Sequence, residues 1–169
     1  LTITNVRIIG PNATVIERGS IVVRGGKIAS VAAGAPAATA GRVIDAKGMS
    51  AMPGFIDAHR HINTGPNEKQ QMQALLEAGY TTILSGGGPA DGNLTLRQHI
   101  ESGQINGPRI IPSGSIRINA QMTPDAARAE IRKMAAQGIK FTGEIALTPV
   151  PGPSEHEIEV LKAIVDEGR

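Results

Sequence analysis

The chain has 169 residues, of which 40% are apolar and 19% charged, a composition that indicates a folded domain with a buried core rather than a disordered segment. Its formal net charge of +2 and its 2% aromatic content argue against nucleic acid as a partner, and the absence of cysteine restricts any metal to nitrogen and oxygen ligands. No apolar run approaches the roughly 20 residues of a membrane helix, and the N-terminus has no signal-peptide pattern, so we expect a cytoplasmic protein without a membrane partner.

Residues 1–52 are predicted to form a small β module. Short runs rich in valine and isoleucine occur before residue 33, and Gly25-Gly26 stands between two of them. Two strand patterns joined by Gly-Gly are typical of a hairpin. Residues 43–46 predict one further strand.

From residue 53 onward, strand and helix patterns alternate. Helix-starting signals occur at Asn67, Asn93, Thr123-Pro124 and Ser154, the last with Glu157 as a capping box. Strands that alternate with helices predict a parallel sheet. The predicted strands are 55–61, 80–85, 109–113 and 139–146. The predicted apolar stripes are Met72, Leu75 and Leu76 on the first helix, Leu96 and Ile100 on the second, Ala127, Ile131, Met134 and Ala135 on the third, and Ile158, Leu161, Ile164 and Val165 on the fourth.

His59-Arg60-His61 ends the first of these strands. Alternate side chains of a strand point the same way, so both imidazoles face one spot, roughly 6 to 7 Å apart along the strand. A simpler interpretation makes them two incidental polar residues at a strand end. The carboxyl ends of parallel strands are where such folds build their sites, and this position favours a metal-ligand pair.

The segment from Pro53 to His61, following Val43-Ile44-Asp45-Ala46-Lys47-Gly48, resembles the signature of the amidohydrolase superfamily. The resemblance implies an α/β fold of the (β/α)8 TIM-barrel type. Residues 1–52 would be the N-terminal part of a small β-sandwich, and residues 53–169 the first four βα units of the barrel. It implies that the chain is only the N-terminal part of such a protein.

The resemblance also implies a binuclear metal centre, with His59 and His61 as the ligands from the first strand. In such members a carboxylated lysine at the end of the fourth strand bridges the metals, and a minority use glutamate. Lys140 and Glu144 offer both types on one strand face, and Glu144 is nearer the carboxyl end. We interpret Glu144 as the bridge, with Lys140 as the alternative; a plain salt bridge to a neighbouring strand is a third interpretation of Glu144.

Two segments, 79–85 and 143–147, are most similar to the enamidase-like branch, in which glutamate is the bridge and the substrate is a cyclic amide. The implied cofactors are two divalent ions, zinc by default, with iron or manganese as alternatives. The implied reaction is cleavage of the C–N bond of an amide or cyclic amide by a metal-activated hydroxide.

No catalytic residue is assigned, because the implied proton-shuttling aspartate and two further histidines would lie beyond Arg169. The 169 residues alone are expected to bind metal weakly and to be inactive. A carboxypeptidase- or prolidase-like enzyme acting on acyl amino acids is the alternative, and a non-catalytic scaffold is the rival from another class. We expect a small-molecule amide substrate and a homo-oligomer.

Three other features are interpreted as structural. Gly86-Gly87-Gly88 lacks the Gly-Lys-Ser/Thr continuation of a phosphate loop and is predicted to be a flexible turn at the mouth of the site. His99 and His156 fall within predicted helices and are expected to be solvated.

Overall fold

The computed structural model describes residues 1–39, 41–62 and 64–169, and it divides into two compact units, Leu1–Pro53 and Gly54–Arg169. The second unit is built from alternating strands and helices with parallel pairing, which makes the protein α/β as expected. In the described part of the chain, no helix combines the length and the apolar character needed to cross a membrane.

The first unit is a five-stranded sheet. Its central strand pairs antiparallel with the second strand and parallel with the fourth and fifth. The predicted hairpin is confirmed: Gly25 and Gly26 join the second and third strands with φ of +55° and +72°, which a tight primed turn requires. The strands are β1 (Thr2–Ile9), β2 (Val15–Arg24), β3 (Lys27–Ala33), β4 (Val43–Asp45) and β5 (Ser50–Ala51). Its core is formed by Val6, Ile8, Ile21 and Ala46.

The second unit contains two parallel sheets. The elements are β6 (Phe55–Arg60), α1 (Glu68–Glu77), β7 (Tyr80–Ser85), α2 (Ala90–Glu101), β8 (Arg109–Ile111), β9 (Gly114–Arg117), α3 (Pro124–Ala136), β10 (Thr142–Ala146) and α4 (Glu155–Glu167). One sheet has the order β6-β7-β8, and the other pairs β9 with β10. Parallel pairing brings the carboxyl ends of neighbouring strands to the same edge, where β6 and β10 carry polar side chains.

The third predicted strand, 109–113, is instead two short strands. Pro112 has no N–H and cannot continue the ladder, so β8 ends at Ile111 and β9 starts at Gly114. β8 pairs with β7, and β9 pairs with β10. The fourth predicted strand starts three residues later than expected, at Thr142, while Ile139 is buried in the core against the helices.

The helices begin at three of the four predicted starts. Thr123 accepts a hydrogen bond from the Ala126 N–H at 3.2 Å, and Ser154 and Glu157 form the predicted capping box. α1 begins directly after Asn67, as predicted, although the Asn67 side chain makes no capping hydrogen bond. α2 starts three residues before Asn93, so this asparagine lies within the helix and is buried.

Each sheet of the second unit packs against two helices. Met72, Leu75 and Leu96 pack against the first sheet, and Ala127, Ile131 and Ile164 against the second. Two predicted core residues, Ala135 and Val165, are exposed. In α4 the buried row is Glu157, Val160, Ala163 and Ile164. Most of this row lies one residue before the predicted stripe, and it includes the hydrogen-bonded Glu157.

Candidate metal centre

The side chains of His59 and His61 contact the side chain of Glu144, which lies on a strand of the other parallel sheet. The Nε2 atoms of His59 and His61 lie 3.2 and 3.0 Å from the same carboxylate oxygen, Oε1 of Glu144. His59 is on β6, His61 follows one residue after its end, and Glu144 is in β10. β6 and β10 belong to different sheets, so the contact is made by side chains and not by strand pairing.

The geometry of this cluster fits a divalent cation. One ligand atom from each residue can be chosen so that all lie within 4.8 Å of one another. Two ligands bound at about 2.0 to 2.2 Å with tetrahedral angles lie roughly 3 to 3.5 Å apart, which matches the observed nitrogen-to-oxygen distances. The side chains are 55%, 64% and 45% exposed for His59, His61 and Glu144, so the cluster is open to a ligand.

The electrostatics of the cluster keep its carboxylate ionised. The hydrogen bond from His61, with a further one from His59, holds the pKa of Glu144 below its ordinary value, while partial desolvation opposes this shift. An ionised carboxylate beside two imidazole nitrogens is a donor set of nitrogen and oxygen, as the lack of cysteine requires.

The backbone around the histidines is held by two local contacts. The His59 N–H donates to Asp57 Oδ1 at 3.1 Å, and the Arg60 carbonyl accepts from the Gly86 N–H at 2.8 Å. The Arg60 guanidinium lies 5.9 Å from the centre of the Tyr80 ring, which is within cation–π range. These contacts fix the strand end from which both imidazoles project.

Lys140, the alternative bridging residue, lies before the start of β10. It lines a surface groove with Ile139 and Phe141, at the opposite end of the strand from Ala146. In the described part of the chain, no hydrogen bond joins Lys140 to either histidine. Glu144 and Lys140 therefore differ in position, and Glu144 is the one beside the histidines.

Two residues of the triple glycine, Gly86 and Gly87, pack closely against the cluster, whereas the sequence predicted only a flexible turn at the mouth of the site. A methyl group on Gly86 would lie 2.7 Å from His59 Nε2, and one on Gly87 would lie 2.9 Å from Glu144 Oε2. Both distances are shorter than van der Waals contact. The loop is therefore a close-fitting backbone wall of the site rather than a free turn.

Arg117 is a second feature that the sequence analysis did not identify. Ser115 is opposite Glu144 in the β9–β10 register, and Arg117 is two residues further along, opposite Ala146. Side-chain alternation places Arg117 on the face of Ser115, away from the buried Ile116. It is exposed and has no ion pair within the described residues. The alternation in Ser115-Ile116-Arg117 is a sequence signal that points to this residue.

The prediction that the two remaining histidines, His99 and His156, are solvated is wrong. His99 Nδ1 lies 2.7 Å from Glu68 Oε1, so these residues link α2 to the start of α1. His156 Nε2 is buried and has no hydrogen-bond partner among the residues that the structure describes. Neither belongs to the His59, His61 and Glu144 cluster.

Curated relatives cover different shares of the chain. An imidazolonepropionase from Caldanaerobacter subterraneus subsp. tengcongensis is 40% identical over 74 residues, which is 43% of this chain and 18% of that protein. A dihydroorotase from Elusimicrobium minutum is 30% identical over 158 residues, which is 86% of this chain and 34% of that protein. The chain thus spans about a third or less of these relatives. No protein-family model matches it.

Solved structures match the chain over nearly its whole length. A candidate prolidase from Bifidobacterium longum superposes with a TM-score of 0.81 at 29% identity, covering 99% of this chain and 46% of that one. A protein described as an amidohydrolase superposes with a TM-score of 0.77 at 23% identity, covering 98% of this chain and 52% of that one. With the signature that ends in His59-Arg60-His61, the two curated relatives and the structure at 29% identity establish that the chain belongs to the amidohydrolase superfamily.

Proposed function

We propose that the chain forms part of a metal-dependent hydrolase that cleaves a C–N bond of an amide or cyclic amide. One observation carries the proposal: the nitrogens of His59 and His61 converge on one oxygen of Glu144. Two neutral nitrogen donors and a carboxylate suit zinc, iron or manganese. Membership of the superfamily adds support for an amide-type substrate.

The proposed architecture follows the sequence expectation. Residues 1–52 are assigned to a small β-sandwich module, and residues 53–169 to the first four βα units of a (β/α)8 barrel. The parallel registers of β6-β7-β8 and of β9-β10 support the barrel. So does the superposition, at a TM-score of 0.81, on a protein of which this chain covers 46%.

We assign His59, His61 and Glu144 as metal ligands, and Glu144 as the residue that bridges two ions. The position of Lys140 at the other end of β10 favours Glu144 over it. Zinc is the proposed metal. A divalent cation held here would polarise a substrate carbonyl and lower the pKa of water at the site to about 7. Homo-oligomeric assembly remains a prediction from the sequence alone.

The three side chains have distinct roles in this proposal. Glu144 contributes the negative charge, and its contacts with His61 and His59 lower its pKa. His59 and His61 present Nε2, and each must be neutral there to act as a ligand. A cation would take the place of any proton on the Nε2 atoms that face Oε1.

Elemental analysis of the purified protein that carries this sequence tests the proposal. We expect up to two equivalents of metal, lost in a His59→Ala, His61→Ala double variant. His99→Ala is the matched control, because it removes a histidine outside the cluster and should leave the metal content unchanged. A protein that takes up no zinc, iron or manganese would refute the metal site and favour the non-catalytic scaffold.

A prolidase-like activity on acyl amino acids is the second candidate, and Arg117 favours it. A guanidinium without an ion-pair partner among the described residues, on the face of Ser115, suits a substrate carboxylate. The likeness to a candidate prolidase at 29% identity points the same way.

Substrate screening distinguishes the two candidates. Charge-assisted hydrogen bonds contribute about 1.5 to 3 kcal/mol, or roughly 10- to 100-fold in binding. If the substrate carries a carboxylate, Arg117→Met should raise KM for Xaa-Pro dipeptides by that factor and leave KM for uncharged cyclic amides unchanged. Equal KM changes for both substrate classes would contradict the prolidase-like candidate.

A further inference from the structure

The backbone of Gly86 and Gly87 forms a tight wall behind the proposed metal ligands. A methyl group on Gly86 would collide with the His59 ring, and one on Gly87 would crowd Glu144 Oε2 at 2.9 Å and His61 Cε1 at 3.2 Å. All three ligands therefore rest on these two peptide units. A triple-glycine segment has high backbone freedom, so something must hold it in this position.

The outer hydrogen bonds of the segment secure its two ends. The Gly86 N–H donates to the Arg60 carbonyl at 2.8 Å, and the Gly88 carbonyl accepts from the Ser115 N–H at 3.3 Å. They tie the segment to β6 on one side and to β9 on the other. The peptide carbonyl of Gly87, in the middle, is held by a different residue.

Asn93 holds the middle of the segment. Its side chain, in α2 and only 4% exposed, donates through Nδ2 to the Gly87 carbonyl at 3.2 Å and to the Ser113 carbonyl at 2.8 Å. An amide nitrogen has two N–H groups, and here each has a carbonyl partner. Asn93 thus joins the glycine wall to the linker between β8 and β9.

The anchoring point on Ser113 is itself rigid. Ser113 is fully buried, its N–H donates to Ser85 Oγ at 2.7 Å, and its hydroxyl donates to the Ser85 carbonyl at 2.5 Å. Ser85 ends β7, immediately before Gly86. Hydrogen bonds therefore connect Ser85 and Ser113 through Asn93 to the peptide unit of Gly87. This peptide unit packs against Glu144 and His61.

We propose that Asn93 is a positioning residue for the cluster of His59, His61 and Glu144. It touches none of the three and acts through the Gly87 carbonyl, by keeping the glycine wall against the ligands. This inference rests on the proposed metal site. Groups outside the ligand shell that orient the ligands are worth 10- to 100-fold in metal affinity, which sets the size of the expected effect.

Cobalt titration of Asn93→Ala tests the inference, with Leu96→Ala as the matched control. Leu96 is fully buried three residues later on α2, and it packs in the core instead of against the glycines. We expect Asn93→Ala to bind Co²⁺ 10- to 100-fold more weakly, with an altered visible absorption spectrum. Leu96→Ala should lower the thermal midpoint at least as much and keep the wild-type cobalt affinity and spectrum.

Asn93→Asp is the second variant, since it keeps the side-chain shape but sets carboxylate oxygen against two carbonyls. It should also weaken cobalt binding at least tenfold. A readout without metal is the NMR spectrum of the imidazole rings, in which the signals of His59 and His61 should shift in both Asn93 variants and remain unchanged in Leu96→Ala.

The outcomes separate this inference from the proposed function. Wild-type protein that binds no cobalt would overturn the metal site and the role of Asn93 together. Cobalt binding by wild type and by both Asn93 variants with equal affinity would overturn the role of Asn93 alone. The same loss of affinity in Leu96→Ala would also overturn it, because general destabilisation would then explain the effect.

Discussion

The regions around Glu144 and Glu157 each contain a carboxylate with a lowered pKa, and they differ in how that carboxylate is held. Glu144 is 45% exposed, and its Oε1 faces two histidine rings. Glu157 is buried, and its two oxygens accept from the N–H and hydroxyl groups of Ser154 and Thr148 at 2.7 to 3.0 Å. A lowered pKa alone therefore does not distinguish a site residue from a structural one.

The two carboxylates differ in how fully their oxygens are occupied by hydrogen bonds from fixed donors. Glu157 is surrounded by fixed donors, two of them backbone N–H groups, which leave its carboxylate little capacity for a ligand. The partners of Glu144 are imidazoles, which can exchange a proton for a cation. The first arrangement ties α4 to the segment after β10, and the second can hold a metal.

Replacing each of the two carboxylates in turn by an amide is the strongest test of this distinction. We expect Glu144→Gln to weaken cobalt or zinc binding by more than about 100-fold, because loss of a ligand should exceed the 10- to 100-fold typical of supporting residues. Its thermal midpoint should change little, since the side chain is exposed. Glu157→Gln should show the reverse: unchanged metal affinity and a lower midpoint. Equal metal affinity in the two variants would contradict the assignment of Glu144 as a metal ligand and Glu157 as a structural residue.

Gly87→Ala sharpens the site half of the comparison with a smaller effect. The added methyl group would crowd Glu144 Oε2 and His61 Cε1, both at the ends of side chains that can move aside. We expect metal affinity to fall about tenfold, in the range for supporting groups, with little loss of stability. Gly92→Ala is the control within α2, where the methyl group would make only an ordinary contact with Thr64 at 3.5 Å. Titration calorimetry of both variants with the metal measures their affinities.

Ser154→Ala addresses the structural half. It removes the hydroxyl that accepts from the Glu157 N–H and donates to its carboxylate. Loss of a helix N-cap costs about 1 kcal/mol, so urea unfolding should show a decrease of that size in the free energy of unfolding. Metal affinity should be unaffected. A change in metal affinity without a change in stability would contradict the assignment of this region as structural.

The pH dependence of stability caused by Glu157 is confined to acidic solution, because its carboxylate is ionised in the folded and in the unfolded chain at neutral pH. The N–H of Ser154, then the hydroxyl and N–H of Thr148, lower the pKa of Glu157 to about 2, against about 4.3 for an unfolded glutamate. The unfolded chain then binds more protons between these values, so stability rises with pH. The contribution of Glu157 is complete above about pH 5 and is lost towards pH 2. Urea unfolding at several pH values in this range should show that the free energy of unfolding rises less steeply with pH for Glu157→Gln than for wild type.

Features that depend on neighbouring residues were predictable from the sequence. The Gly25-Gly26 hairpin, the capping box of Ser154 and Glu157, and the strand Tyr80–Ser85 were all predicted correctly, because turn geometry and helix capping involve residues close in the chain. Asn67 was also predicted correctly as the residue before α1. Its side chain makes no cap, and Glu68 instead accepts from the Gly65 N–H at 3.3 Å.

Features that depend on distant residues were not predictable in the same way. Strand alternation placed His59 and His61 together, and Glu144 on one face of the fourth strand, but it gave no distance between them. The sequence pattern also took Asn93 for a helix start and the triple glycine for a free turn. Their actual roles depend on carbonyls and side chains from β6, β9 and β10, which no local pattern specifies.

By itself, the sequence determined the alternation of strands and helices, the superfamily signature and the residue types able to bind a metal. Hydrophobic periodicity and short-range motifs encode these properties directly. The tertiary structure alone decided that two imidazoles meet one oxygen of Glu144, and that Asn93 and two glycines lie behind them. These contacts join residues up to 85 positions apart, and they depend on the packing of whole strands and helices.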